Sequence, residues 1–295
     1  GIALNTPEQL EADLTQALDT RAREAGLVLG SPSLVSRFEE LLLGLARRAG
    51  QPVVVLIDEY DKPLVEHLGK GEAGLTIARA NRDVLRAFYG VLKSGAVAPL
   101  LRFVLLTGVS RFSRVSIFSA LNNLQDISQS AQFAGLLGYT QSELEDNFRD
   151  HIARFPAASG QSPAQMVTTL AQHYDGYRFS TRPLKVYNPF STLNALKEME
   201  FRSYWFETGT PTFLVNLLKQ ERYDLAALEG RQVDQAIFTT FDLDDLVPEA
   251  LLVQTGYLTI TDVQDGIYTL DYPNREVKTS FTKSLLFALD EFDKE

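Results

Sequence analysis

Apolar positions along the first hundred residues alternate between two textures. Thr6-Pro7-Glu8-Gln9 reads as a helix start, with Thr6 as N-cap, Pro7 at the first helical position and Gln9 completing a capping box. Leu10, Leu14 and Ala17/Leu18 then recur at helical spacing until Gly26. A second helix starts near Ser33, carries Phe38, Leu41, Leu42 and Leu45 on one stripe, and ends at Gly50. The texture then becomes an unbroken run, Val53 to Ile57, which predicts a central strand covered on both faces. A third helix is expected after Asn81, with Leu85, Phe88, Tyr89 and Leu92 on one side. A second apolar strand, Leu101 to Leu106, runs into Thr107-Gly108. Helix, helix, strand, helix, strand predicts an α/β layer with a parallel sheet.

Past Gly138 the pattern shortens. TQSELEDNFRDHIARF and SPAQMVTTLAQHY read as short amphipathic helices, joined by AASGQSP. From Phe201 helical stretches precede two strand-like runs, YLTITDV and GIYTLDYP, joined by Gln264-Asp265-Gly266. Asp-Gly between alternating apolar runs predicts a hairpin. Helices, a hairpin and a further helix resemble a winged helix. The expected organisation is an α/β core over 1–137, a helical lid over 138–200 and a winged-helix-like region over 201–295.

Composition narrows the function classes. Of 295 residues, 45% are hydrophobic and 22% charged, as in a globular chain with a substantial core. No apolar run approaches the roughly 18 residues of a membrane span. The opening GIALNTPEQLEADL has no signal-peptide pattern. The chain has no cysteine, which excludes disulfides and thiolate metal sites and fits a cytoplasmic setting. Its three histidines, His67, His151 and His173, are scattered and do not read as a metal set. A net charge of −10 disfavours broad phosphate contact with nucleic acid. DNA contact, if any, is confined to a local patch such as YPNREVKTSFTKSLL, where Arg275, Lys278 and Lys283 stand against Glu276.

The chemistry concentrates in VVVLIDEYD. Adjacent carboxylates at the carboxyl end of a buried strand match the second nucleotide-binding motif (Walker B) of a P-loop ATPase. Asp58 can serve the magnesium shell, and Glu59 can act as catalytic acid or base on the attacking water. The plainer reading is a strand ending in a solvated acidic turn. The loop after the second strand carries Thr107, Ser110, Arg111 and Arg114 without an acidic residue from Gly95 to Gln125. Hydroxyls and guanidiniums there can read a γ-phosphate. The phosphate cradle GxxxxGK[ST] does not occur in the sequence: Gly69-Lys70 is followed by Gly71 and comes after the acidic strand.

Seven stretches extend the likeness: VVVLIDEYDKPL, LLTGVSRFSRVSIFSALNNLQDIS, HYDGYRFS, VYNPFS, YWFETGTPTFLVNLL, LLVQTGYLTI and YPNREVKTSF. Together, from about residue 30 to residue 285, the chain resembles the bacterial AAA-ATPase-like proteins. In that family an ATPase part is commonly followed by a PD-(D/E)XK nuclease-like domain. The resemblance implies a partial P-loop ATPase core of the additional-strand type, a helical lid and a winged-helix-like region. It also implies that the first motif lies upstream, so that the sequence is an internal fragment without its phosphate loop or its nuclease-like domain. ATP and Mg2+ are then the cofactors of the intact parent, whereas the fragment alone, lacking the cradle, is expected to be inactive and to hold no firm cofactor. Glu59 and Arg111 carry over as catalytic residues, Asp58, Thr107, Ser110 and Arg114 as nucleotide-binding residues, and Asp58 as the metal ligand. Tyr60 and Asp61 match the motif without an evident role. The alternative reading is a non-enzymatic interaction or regulatory module with a winged-helix-like surface, DNA contact being one option for it.

Overall fold

The computed structural model describes residues 6–110, 123–155, 162–207, 212–220, 223, 225–238, 243 and 246–292. It divides into two compact units, residues 1–125 with 240–246, and residues 126–239 with 247–295. Among the described residues no helix is long and apolar enough to cross a membrane.

The first unit opens with α1, Pro7–Glu24, and α2, Leu34–Ala49. Both start where the capping residues stand: Thr6 accepts the Gln9 N–H, and Ser33 accepts the Ser36 N–H. Two parallel strands follow in sequence, β1 (Val53–Ile57) and β2 (Leu101–Leu106). Between them lie a one-turn helix α3, Lys62–Val65, and the long α4, Gly71–Gly90. The third helix therefore begins ten residues before the Asn81 start expected from sequence. The buried positions of its first half are small residues: Gly74 lies against the His67 carbonyl, and Ala78 is fully buried. Close approach there replaces the large apolar stripe that periodicity looks for.

The sheet departs from expectation in a second way. Val54 pairs with Phe103 and Leu56 with Leu105. These four residues share one face, and they are 52, 53, 67 and 37% exposed in the order Val54, Phe103, Leu56, Leu105. The opposite face holds Val55 in the core. Among the described residues, helices cover one face of this sheet and leave the other bare. An all-apolar strand reads as covered on both sides, but the pattern does not say which polypeptide does the covering.

The second unit is mostly helical at first: α5 (Gln141–Asn147), α6 (Arg149–Arg154), α7 (Pro163–Tyr174), α8 (Pro189–Glu198), α9 (Tyr204–Glu207) and α10 (Thr212–Gln220). Capping boxes at Thr140/Glu143 and Ser162/Gln165 fix the starts of α5 and α7. Leu144, Ile152, Phe155, Met166, Leu170, Tyr174 and Tyr187 pack into its core. Strand β3, Arg231–Asp234, then α11, Pro248–Gln254, lead to the hairpin β4 (Thr259–Gln264) and β5 (Ile267–Asp271). The sheet is antiparallel with order β3-β5-β4. The expected Asp-Gly turn is present, with Asp265 and Gly266 both at positive φ. Helix α12, Arg275–Phe292, follows.

The aromatic run after α7 is structural. The buried Arg178 guanidinium donates to the carbonyls of Ser180, Thr181, Arg182 and Thr261. Gly176 has φ +113°, and a Cβ there would overlap the Pro273 carbonyl. Gly176→Ala is therefore expected to lower stability by about 3 kcal/mol, since it combines left-handed backbone with overpacking. Urea midpoints of the two proteins measure it.

Candidate active site at the strand ends

The parallel ladder continues past the strands and brings two short loops together. Thr107 N–H donates to the Ile57 carbonyl, and Tyr60 N–H donates to the Thr107 carbonyl, each at 2.9 Å. Residues 58–61 thus lie beside residues 107–110, beyond the carboxyl ends of both strands, where open α/β sheets bind ligands.

Asp58 and Glu59 differ in setting. The Asp58 carboxylate accepts the Thr107 hydroxyl and, at 3.0 Å, the Glu59 N–H. Glu59 is exposed and holds a left-handed backbone, φ +52°. For a non-glycine residue that conformation is uncommon and costs about 1–3 kcal/mol. Its carboxylate pairs with Lys62 at 3.0 Å, and this bond raises the pKa of the Lys62 ammonium.

Tyr60 and Asp61 point the other way, into the protein. The Tyr60 hydroxyl donates to the Ser110 carbonyl at 2.8 Å. Asp61 is fully buried. Its carboxylate accepts the Val109 N–H at 3.1 Å, and both the Ser110 N–H and the Ser110 hydroxyl at 2.5 Å. Burial raises its pKa, against the lowering effect of those three donors. The buried Tyr89 hydroxyl is pushed well above the usual phenol range, first by burial and then by the Asp61 charge.

Of the residues named from sequence, the strand ends bring together Asp58 with Thr107, and place Glu59 and Ser110 on the same two loops. Arg111 and Arg114 lie outside the described residues. What sequence reasoning missed is Asp61. It stands just before Lys62-Pro63, a pattern that reads as an ordinary helix N-cap. Yet it makes no cap bond to α3, because its carboxylate is taken by the neighbouring loop.

Among the described residues no three His, Asp or Glu side chains form a metal cage. The donor set fits a cation only where phosphate oxygens and water complete the shell, as magnesium is commonly held. Asp58 would be the protein ligand.

Residues 1–118 match the AAA-ATPase-like family, described as a predicted AAA-ATPase. Both strands and both loops of the site fall inside the matched residues. The chain is also similar to an uncharacterised protein encoded in the vnfD 5′ region of Azotobacter chroococcum mcd 1. Identity is 39% over 290 residues, 97% of this chain and 53% of that protein. The chain thus spans about half the length of the curated relative it matches. No solved structure matches it.

Proposed function

We propose that the AAA-ATPase-like region contributes the acidic-strand half of an ATP-hydrolysing core. The observation that carries this reading is the convergence of Asp58 and Thr107 on one hydrogen bond at the ends of adjacent parallel strands. Asp58 holds the water shell of a magnesium ion, which when bound supplies charge neutralisation for the phosphates. Glu59, exposed at the rim, orients the attacking water. Thr107 carries the hydroxyl that reads the γ-phosphate, and Arg111 and Arg114, outside the described residues, supply further donors.

In this reading the lysine-bearing phosphate cradle comes from polypeptide outside these 295 residues. The bare apolar face of Val54, Leu56, Phe103 and Leu105 supports it, because parallel sheets are stable with both faces covered. The reading extends to residues 138–200 as a lid, 201–295 as a winged-helix-like region, and a nuclease-like effector domain in the longer protein. A second reading, a non-enzymatic interaction module, draws on the β3-β5-β4 sheet followed by α12. Its DNA-contacting form is weakened by Lys278, which is ion-paired with Glu229 at 2.7 Å.

The test is magnesium-dependent nucleotide binding by the longer protein. Asp58→Asn is expected to weaken ATP binding about tenfold with magnesium present and to leave binding in EDTA unchanged. Equal affinity of wild type and variant in magnesium removes Asp58 from the metal site.

A further inference from the structure

We propose that Asp61 is a positioning residue, whose buried carboxylate sets the loop after β2 and thereby holds Thr107 against Asp58. The inference rests on the strand ends being a nucleotide-hydrolysing site, but its structural half can be tested without that reading.

A buried carboxylate is costly unless its oxygens are well bonded. Asp61 is fully buried, and among the described residues its three donors come from Val109 and Ser110. None comes from α3, although Asp61 occupies its N-cap. The carboxylate therefore serves the other strand's loop rather than its own helix. Tyr60 works beside it: its N–H donates to the Thr107 carbonyl and its hydroxyl to the Ser110 carbonyl. With the Thr107 hydroxyl on Asp58, every residue from 107 to 110 except Gly108 is bonded to residues 58–61. Gly108 lies directly over the pair, since a Cβ there would overlap the Asp61 carboxylate and the Tyr60 ring. Thr107 stands two residues before Val109, so the clamp on Val109 and Ser110 limits where its hydroxyl can sit.

The chemistry also says why an acid is required. One oxygen, Oδ2, receives both the N–H and the hydroxyl of Ser110, and the other receives the Val109 N–H. An asparagine of the same shape can accept at one position only, and its amide would face a donor at the other.

The experiment compares wild type, Asp61→Asn and Ser110→Ala in the longer protein, by steady-state ATP hydrolysis and by backbone amide exchange. Asp61→Asn is expected to lower kcat roughly 10²-fold, the scale of a 1 Å misplacement. KM for ATP is expected to rise far less than kcat falls, since the γ-phosphate contact of the displaced hydroxyl strengthens as charge develops in the transition state. The Val109 and Ser110 amides are expected to exchange at least about tenfold faster, while Val55 in β1 keeps its protection. A lower melting temperature with unchanged kcat per folded molecule, or unchanged loop exchange, overturns the proposal. If Asp61→Asn does not fold, Ser110→Ala carries the same test, because it removes only the hydroxyl donor. If wild type shows no ATP hydrolysis, the nucleotide reading fails, and loop exchange alone then decides whether Asp61 sets the loop.

Discussion

On the proposed reading, replacing Glu59 with glutamine in a chain that also carries the phosphate cradle is expected to leave nucleotide bound and to lower hydrolysis about 10²- to 10⁴-fold, the range of a lost general base. The substitution keeps side-chain shape and backbone, so the left-handed conformation at φ +52° is undisturbed. That conformation is held by neighbours. The Lys62 N–H donates to the Glu59 carbonyl, and the next residue, Tyr60, is tied to Thr107. The strain turns Glu59 outward at the strand end, while Asp58 stays against Thr107 and Asp61 goes inward. Three carboxylates in four positions thus take three environments, and in the proposed reading Glu59, exposed and paired only with Lys62 among the described residues, is the one placed to meet the attacking water. Single-turnover hydrolysis beside a nucleotide titration separates the two effects. An unaltered rate removes the catalytic assignment, and weakened binding with an unaltered rate makes Glu59 a binding group.

How much of this was legible beforehand depends on what kind of interaction fixed each element. Local chemistry was readable: Thr6 and Ser33 start their helices, and Asp265-Gly266 makes its turn. The ends of β1 and β2 were readable too, because an apolar run stops sharply at Asp58 and at Thr107. Features set by distant packing were not. Periodicity missed the first half of α4, where Gly74 and Ala78 pack closely. It missed β3, whose Arg231-Gln232-Val233-Asp234 is polar and finds its place only as an edge on β5. It also overstated β1, since five apolar residues say nothing of whether one face or two is covered. In the site, the exposed acids were visible as a motif. The inward role of Asp61 depends on a loop 48 and 49 positions away in sequence, and no local pattern encodes that.

The stability of the second unit is expected to fall as pH rises from about 5 to 8, and Glu276→Gln is expected to abolish most of that fall. Glu276 sits in the first turn of α12, buried. One carboxylate oxygen accepts the Ser191 hydroxyl from α8 at 3.0 Å and the Trp205 N–H from α9 at 2.9 Å. The other is buried without a hydrogen-bond partner among the described residues, as is the Asn274 amide nitrogen. Burial pushes the Glu276 pKa from 4.5 to about 7, opposed by the Trp205 and Ser191 donors and helped by the charge of Glu207. Tyr174 and Tyr177 also lie within electrostatic reach, and both stay neutral over this range. The sign follows from the raised value. Below the unfolded pKa of 4.5 both states hold the proton, and the contribution is fully present. Between 4.5 and about 7 the unfolded chain gives the proton up while the native state keeps it, so stability drops with each step in pH. Above about 7 both states are ionised and the loss levels off at roughly 3 kcal/mol, the shift multiplied by 1.36 kcal/mol per unit. Glutamine keeps the acceptor that Ser191 and Trp205 use, places a neutral donor where the other oxygen stood, and does not titrate. Urea unfolding of wild type and variant at pH 5, 6, 7 and 8 reads the difference, which should widen in favour of Glu276→Gln by about 2–3 kcal/mol across the series. A constant difference would mean that Glu276 ionises in the native state as it does in the unfolded chain, and that Ser191 and Trp205 hold a carboxylate at low pH as well as at high.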